Sequence, residues 1–528
     1  MTLFTISADS HVTEPGDCYL PRIDRRFRDR APQAATDDQM GAVILIDQGR
    51  SRIPYGMIAA AGRPVESIHP YTYVPWEELH PGGWDPTARL NEQDLDGVAV
   101  EVLYPSVGML LCNHPDVDYK KACFDAYNLW IAEFQSHAPD RLIGLGQTAL
   151  RSVEEGLEDL RRIKDLGLRG VMMPGFAGCH ADGDYDDPRW DPFWEAAVDL
   201  ELPLSFHILT NNDNLVTPTY RGPKMNSFLG IIRGCQDIIG TLIFGGVFER
   251  HPTLRVVCVE ADAGWAPHWM YRADHAFHRH RNWLTARSMS HLPSEAFREN
   301  VYLTFQDDWV AFRVTGLLNH ERLMWANDHP HSDATWPESQ RVLAEQTADL
   351  DPVVRDDIVW RNCAGLYQLD AALLWQKAGL ASPDTIMGVS PVMIEKTFPA
   401  QFTITIYLPP PPPAYAGTVP YAVASIGAIT HVATLAQLAD GSALLGQLDD
   451  PLLYYFRSPV PRGLMQQEYG ALATGYHLLH RQQTVDPATL TAAQIDACSR
   501  TLTGESPAIA RSDAEYEEAK RRAIQGTT

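Results

Sequence analysis

The chain has 528 residues, 45% of them apolar, with 43 basic and 67 acidic side chains and a formal charge of −24. That length suits one large domain plus a smaller one, and the apolar share is that of a globular chain, not a disordered one. The acidic balance repels phosphate backbones and anionic bilayers, which argues against nucleic-acid and membrane partners.

Up to about residue 377 short apolar runs alternate with helical segments. Strands are expected at 3–8, 98–104, 142–148, 170–173, 204–207, 255–260, 301–304 and 323–326. Amphipathic stretches at 119–136, 153–166 and 191–200 lie between some of them. Eight strands alternating with helices predict an α/β fold, a (β/α)8 TIM-like barrel. Continuous apolar runs such as Val256-Val257-Cys258-Val259 fit a sheet buried on both faces. Two insertions interrupt the pattern, at 19–83 and 276–299; each reads as a lid or substrate wall, or as packing or oligomer contact. Tyr55, Tyr71, Tyr73 and Trp76 in the first either hold an apolar substrate body or form the core of the lid.

The texture changes after Gly379, and a boundary is expected near residue 380. The barrel then spans 1–379 and an extension of uncertain fold, covering or interacting, spans 380–528. The extension carries an alternating strand at 402–406, five prolines at 409–413 and helical patterns at 486–500 and 513–524, the last with a capping box of Ser512 and Glu515. It offers no chemical motif. The eight cysteines have no CxxC spacing and read as reduced core fillers of a cytoplasmic protein. No basic start leads into an apolar stretch, so no secretion signal is expected. Residues 421–445, the longest weakly polar run, contain His431, Gln437 and Asp440 and make a poor membrane span.

The chemistry-bearing residues sit at expected strand ends. Asp9 and His11 close the first strand, two apart and so on one face. His207 closes the fifth, and Asp328 follows the eighth in Trp325-Ala326-Asn327-Asp328-His329-Pro330-His331. Singly each has a bland reading: a cap, a core histidine, an N-cap for the helix after Trp336. Together they form an O,N,N,O set on a barrel rim, which suits zinc, manganese or iron. Asp328 is also a candidate catalytic acid or base, with His329 and His331 assisting or lining the pocket.

The segments ISADSHVTEP, DGVAVEVLYPS, LPLSFH, HPTLRVVCVEADAGWAP, RLMWANDHPHSD and RNCAGLYQLD, in that order across about 3–370, give the chain its resemblance to a family. It resembles the amidohydrolase-related enzymes, the group that includes aminocarboxymuconate-semialdehyde decarboxylase-like members. The resemblance implies the barrel and a divalent metal held by Asp9, His11, His207 and Asp328. Decarboxylases of the group commonly carry a histidine at the end of the sixth strand; here that place falls to Glu260. Glu14, Glu260 and His268 then form either a second metal site, as in the dinuclear oxygenase branch, or supports for His11 and His207. His275, His278 and His280 read as structural.

Three functions follow as expectations. The first is a metal-dependent hydrolase or decarboxylase acting on a small carboxylate or cyclic substrate. The second is a dinuclear iron or manganese–iron oxygenase. The third is a non-catalytic subunit supporting an active paralogue. Assembly is expected as a homo-oligomer or with such a paralogue. Arg221 and Lys224 either pair with a substrate carboxylate or are solvated loop charges.

Overall fold

The computed structural model describes residues 3–69, 72–177, 183–210, 222–223, 225–284 and 289–370, and beyond these the backbone of five further strands. The chain divides into two compact units, Met1–Leu374 and Trp375–Thr528.

In the first unit the strands are β1 (Ile6–Val12), β2 (Gln33–Asp37), β3 (Gly41–Ile46), β4 (Ser51–Pro54), β5 (Val100–Pro105), β6 (Leu142–Gly144), β7 (Gly146–Gln147), β8 (Val171–Met172), β9 (Leu204–His207), β10 (Val256–Val259), β11 (Val301–Phe305) and β12 (Leu323–Trp325). Two parallel sheets, β1-β5-β6 and β12-β11-β10-β9-β8-β7, form the barrel wall. They join at Leu145, whose N–H donates to Leu103 O (3.1 Å) while the next residue, Gly146, donates to Gly170 O (3.0 Å). The other seam closes past the strands proper. Asp328 N–H donates to Asp9 O (3.0 Å) and His11 N–H to His329 O (2.7 Å). The fold is the expected α/β TIM-like barrel.

Apolar runs fill this wall for the reason the sequence suggested. Val256, Val257, Cys258 and Val259 are all buried, as a parallel strand covered on both faces requires. Helices cover the outside. The segment Val153–Asp165 is capped by the Ser152 hydroxyl on the N–H of Glu155 (3.2 Å), and its acidic first turn and basic last turn complement the helix dipole.

The insertion at 19–83 contains a small antiparallel sheet, β2-β3-β4. Tyr55 is fully buried against Trp76 (ring centroids 4.7 Å apart), and its hydroxyl donates to Glu14 O (2.7 Å). Tyr55 is therefore part of the insertion's own core. Tyr73 is exposed, and Tyr71 lies outside the described residues. The second insertion is not a loop: the helix Ala266–His280 runs into it and Pro293–Asn300 forms another. The basic residues at its start belong to that helix's last turns.

The second unit contains a five-stranded antiparallel sheet of β13 (Val392–Thr397), β14 (Thr403–Leu408), β15 (Tyr421–Ile426), β16 (Ile429–Thr434) and β17 (Tyr454–Phe456), in chain order. The alternating strand expected at 402–406 falls on β14. The proline run, the two helical patterns and the Ser512–Glu515 pair lie outside the described residues. The six described cysteines are buried and free; Cys179 and Cys498 lie outside. Among the described residues no helix is long and apolar enough to cross a membrane.

Candidate metal centre

The rim of the barrel gathers five of the expected side chains. A bulge in β1 sets the first two: the four residues from Ser7 to Ser10 face only three on β5, Glu101 to Leu103. Asn327 pins the bulge by accepting from the hydroxyls of Ser7 (3.0 Å) and Ser10 (2.7 Å). Asp9 and His11 emerge fully buried on either side of Ser10. Glu260 and Asp328 both occupy the left-handed region, at φ 57° and 54°. Such a backbone costs on the order of 1–3 kcal/mol for a residue with a side chain, and it clusters at functional sites.

Two histidines offer one free nitrogen each. His11 Nδ1 lies 3.3 Å from Pro105 O and His207 Nδ1 3.1 Å from Ile208 O. Carbonyls only accept, so each Nδ1 carries a proton, and on the neutral ring each Nε2 keeps its lone pair. Those two Nε2 atoms face each other at 3.2 Å. His11 Nε2 is 3.5 Å from Asp9 Oδ1, 3.5 Å from Asp328 Oδ1 and 3.7 Å from Glu260 Oε2. His207 Nε2 is 3.6 Å from Asp9 Oδ1 and 3.2 Å from Glu260 Oε2. Donors about 2.1 Å from one ion, at tetrahedral or octahedral angles, stand roughly 3.0–3.4 Å apart. The observed spacing, 3.2–3.7 Å, runs from that range to slightly beyond it.

The electrostatics agree. Both oxygens of Asp9 and both of Asp328 are buried without a hydrogen-bond partner. An unpaired buried polar atom costs about 1–3 kcal/mol, and a charged one more. Burial, then Glu260 and Asp9, push the Asp328 carboxyl well above its ordinary range. Burial lifts Glu260 to about 8, with His207 opposing and Asp9 adding. Burial also holds His11 far below its usual value, helped by His331 and His207. At His207 the burial effect is outweighed by Asp9 and Glu260, and it rises to about 9. The carboxylates of Asp9, Glu260 and Asp328 repel one another, and a divalent cation would supply the compensating charge. The residues present fit such an ion.

Two expected ligands are not brought here. Glu14 is fully buried, but its carboxylate accepts from the backbone N–H groups of Ser106 (3.0 Å), Val107 (2.9 Å) and Gly108 (2.9 Å) and from the Tyr19 hydroxyl (3.2 Å). It anchors the loop after β5, and no lone pair is left to reach a metal. His268 lies on the exposed face of the helix Ala266–His280, beside Tyr271. His329, expected among the catalytic residues, turns away from the cluster: its Nε2 is 2.7 Å from Glu92 Oε2. In its place His331 enters, stacked on His11 at 3.8 Å, with Nδ1 3.1 Å from Asp328 Oδ1. Asp328 is no helix cap, since the next helix, Ser339–Gln346, begins at Glu338. Arg221 and Lys224 lie outside the described residues.

A buried polar layer beneath the centre escaped the sequence reading. Arg89 donates to His11 O (2.6 Å), His329 O (3.0 Å) and Glu101 (2.5 Å). Asn327 Nδ2 donates to Glu101 and to Asp96, both at 3.2 Å. The signal was present: Arg89, Gln93 and Asp96 recur at i, i+4 and i+7 in the helix Pro86–Asp96, a polar stripe on its buried face.

A family model described as amidohydrolase matches residues 109–369. Over that stretch the barrel region is similar to the amidohydrolase family. A curated relative, the 2-amino-3-carboxymuconate-6-semialdehyde decarboxylase of Dictyostelium discoideum, is 30% identical over 206 residues, 38% of this chain and 54% of the relative. The chain thus spans about half the length of that relative. The gamma-resorcylate decarboxylase of Rhodococcus jostii is 25% identical over 333 residues, 57% of this chain and 92% of the relative. Among solved structures, an amidohydrolase from Mycobacterium avium subsp. paratuberculosis K-10 is 18% identical and aligns with a TM-score of 0.56 over 70% of this chain and 100% of its own. That likeness supports the amidohydrolase barrel as a fold.

Proposed function

We propose that the protein is a metal-dependent carboxy-lyase acting on a small aromatic or unsaturated cyclic carboxylate. The observation that carries this is the grouping of Asp9, His11, His207 and Glu260, with Asp328 joining His11 and Glu260 in an overlapping group, and the oxygens of Asp9 and Asp328 unpaired. Decarboxylation is preferred over hydrolysis because both curated relatives named above are decarboxylases. A divalent ion held here would polarise the substrate and offset the charge that develops as carbon dioxide leaves.

The chain's own residues do the rest. His11 and His207 are fixed in one tautomer by their carbonyl partners, so their lone pairs are aimed before anything binds. Asp328 stands at the rim with His331 beside it, placed to hold the proton that replaces the lost carboxyl group. Residues 380–528 supply none of these groups, and we assign them a covering or assembly role outside the chemistry.

Elemental analysis of the purified protein tests the reading. His207→Ala and Asp9→Asn should lose metal, and turnover should fall about 10³-fold, the equivalent of several kcal/mol of Lewis-acid stabilisation. Full metal content in both folded variants would refute it. A second reading, an oxygen-activating dinuclear centre, draws on one observation: Glu260 rather than a histidine stands 3.2 Å from His207 Nε2. Substrate-dependent oxygen uptake in place of carbon dioxide release would favour it.

A further inference from the structure

An arginine is almost never fully buried unless its charge is paired, and Arg89 is fully buried. The helix Pro86–Asp96 delivers it beneath the rim, capped by the Asp85 carboxylate on the N–H groups of Thr87 (2.8 Å) and Ala88 (3.3 Å). Glu101 on β5 takes the Arg89 Nε, and the Gln93 amide donates to the same carboxylate oxygen (2.7 Å). One edge of the guanidinium is thereby anchored. The other two nitrogens reach backbone carbonyls, Nη1 that of His11 and Nη2 that of His329.

Those two carbonyls lie on opposite banks of the joint where the barrel closes. β1 and β12 belong to separate sheets, and among the described residues no strand ladder runs between them. The backbone bonds from Asp328 to Asp9 and from His11 to His329 close the joint past the strand ends. A regular parallel ladder fixes the offset of two strands by its evenly spaced bonds, and this joint lacks one. The candidate donors stand on the same two banks, Asp9 and His11 on one and Asp328 on the other. A guanidinium is planar and rigid, so a single group bonded to both banks holds them at one separation. His329 O has both lone pairs taken, one by His11 N–H and one by Arg89.

We propose that Arg89 is a positioning residue of the metal centre. Its fork sets the spacing between the Asp9–His11 bank and the Asp328 bank, and through it the affinity and ligand field of the ion. This rests on the metal-dependent reading above. A staple that only held the barrel shut would make the same bonds, and the experiment separates the two roles.

Arg89→Lys keeps a positive charge for Glu101 but replaces the planar fork with a point charge on a flexible stem. The full-length protein is stripped with a chelator and titrated with Co(II), followed by visible absorption. Affinity should fall about 10–100-fold and the absorption bands should shift. In the metal-free protein, amide hydrogen exchange should quicken in the peptides carrying His11 and Asp328 and stay slow at Val256–Val259. Leu160→Ala, at a fully buried position in the outer helix Val153–Asp165, lowers stability by leaving a cavity and should alter neither affinity nor bands. An equal loss of affinity in Leu160→Ala would overturn the proposal, since affinity would then merely follow stability. No Co(II) binding by wild type overturns the metal-dependent reading itself. Binding by wild type with unchanged affinity and unchanged exchange in Arg89→Lys overturns only the role of Arg89. Should Arg89→Lys fail to fold, Glu101→Gln decides: it withdraws the anion that orients the fork, and affinity should fall about 10-fold. Unchanged affinity and exchange in that variant would overturn the proposal.

Discussion

The strand-end cluster and the pocket of His80, Glu92 and His329 are built from the same donor types, and by spacing alone each could hold a metal. Asp328 belongs to one and its neighbour His329 to the other. In the pocket each oxygen of Glu92 has a donor: Oε2 meets His329 Nε2 at 2.7 Å and Oε1 meets Gly82 N–H at 3.2 Å. His80 commits its Nε2 to Ala61 O at 2.7 Å. In the cluster the four oxygens of Asp9 and Asp328 are buried and accept no well-formed hydrogen bond. Imidazoles beside carboxylates are thus no signal of a metal site by themselves. The signal is a buried carboxylate whose lone pairs have been left unspent.

Glu14 is the sharpest way to break this contrast. It is as buried as Asp328 yet takes four donors. Glu14→Ala strands three backbone N–H groups and should cost about 3 kcal/mol in chemical denaturation, or more. Metal content of the folded protein should be unchanged; a folded Glu14→Ala without metal would show that the contrast fails.

Asp159 is an intermediate case, partly paired and still uncomfortable. Lys121 Nζ stands 3.1 Å away and the Thr148 hydroxyl donates at 2.8 Å, but burial outweighs both and raises the carboxyl from 3.8 to about 6. A carboxyl raised on folding contributes stability that is full below its unfolded value and is lost as the pH climbs through its folded value. Stability should therefore fall by on the order of 2–3 kcal/mol between about pH 4 and pH 6 on account of this group. Asp159→Asn should flatten that part of the profile, and an unchanged slope would show that Lys121 compensates the charge. The smallest effect is expected at Glu92. Glu92→Gln keeps the shape and can still hydrogen-bond, so it should cost about 1 kcal/mol and no metal.

Much of the barrel could be read from the sequence because parallel strands buried on both faces write themselves as unbroken apolar runs. The expected strand at 204–207 coincides with β9, and 255–260 differs from β10 only at its ends. Asp9, His11, His207 and Asp328 could be read as strand-end residues for the same reason. Glu14 and His329 could not be assigned correctly, because what separates them from the ligands is the direction of a side chain and the supply of donors around it. The three N–H groups that claim Glu14 lie some ninety residues away, on the loop after β5. The bulge in β1 was equally hidden, since its clamp, Asn327, comes from the other end of the barrel.

The seam that closes the barrel has a consequence for how the protein is made. The hydrogen bonds from Asp328 to Asp9 and from His11 to His329 join residues more than three hundred positions apart, so the ring and the donor cluster are completed by one event. Until the last strand docks, a nascent chain carries Asp9 and His11 on an open sheet edge, with neither Asp328 nor His331 to complete the set. Completion of the donor cluster is thereby tied to arrival of the far end of the barrel, and a half-made chain holds only half of the donors.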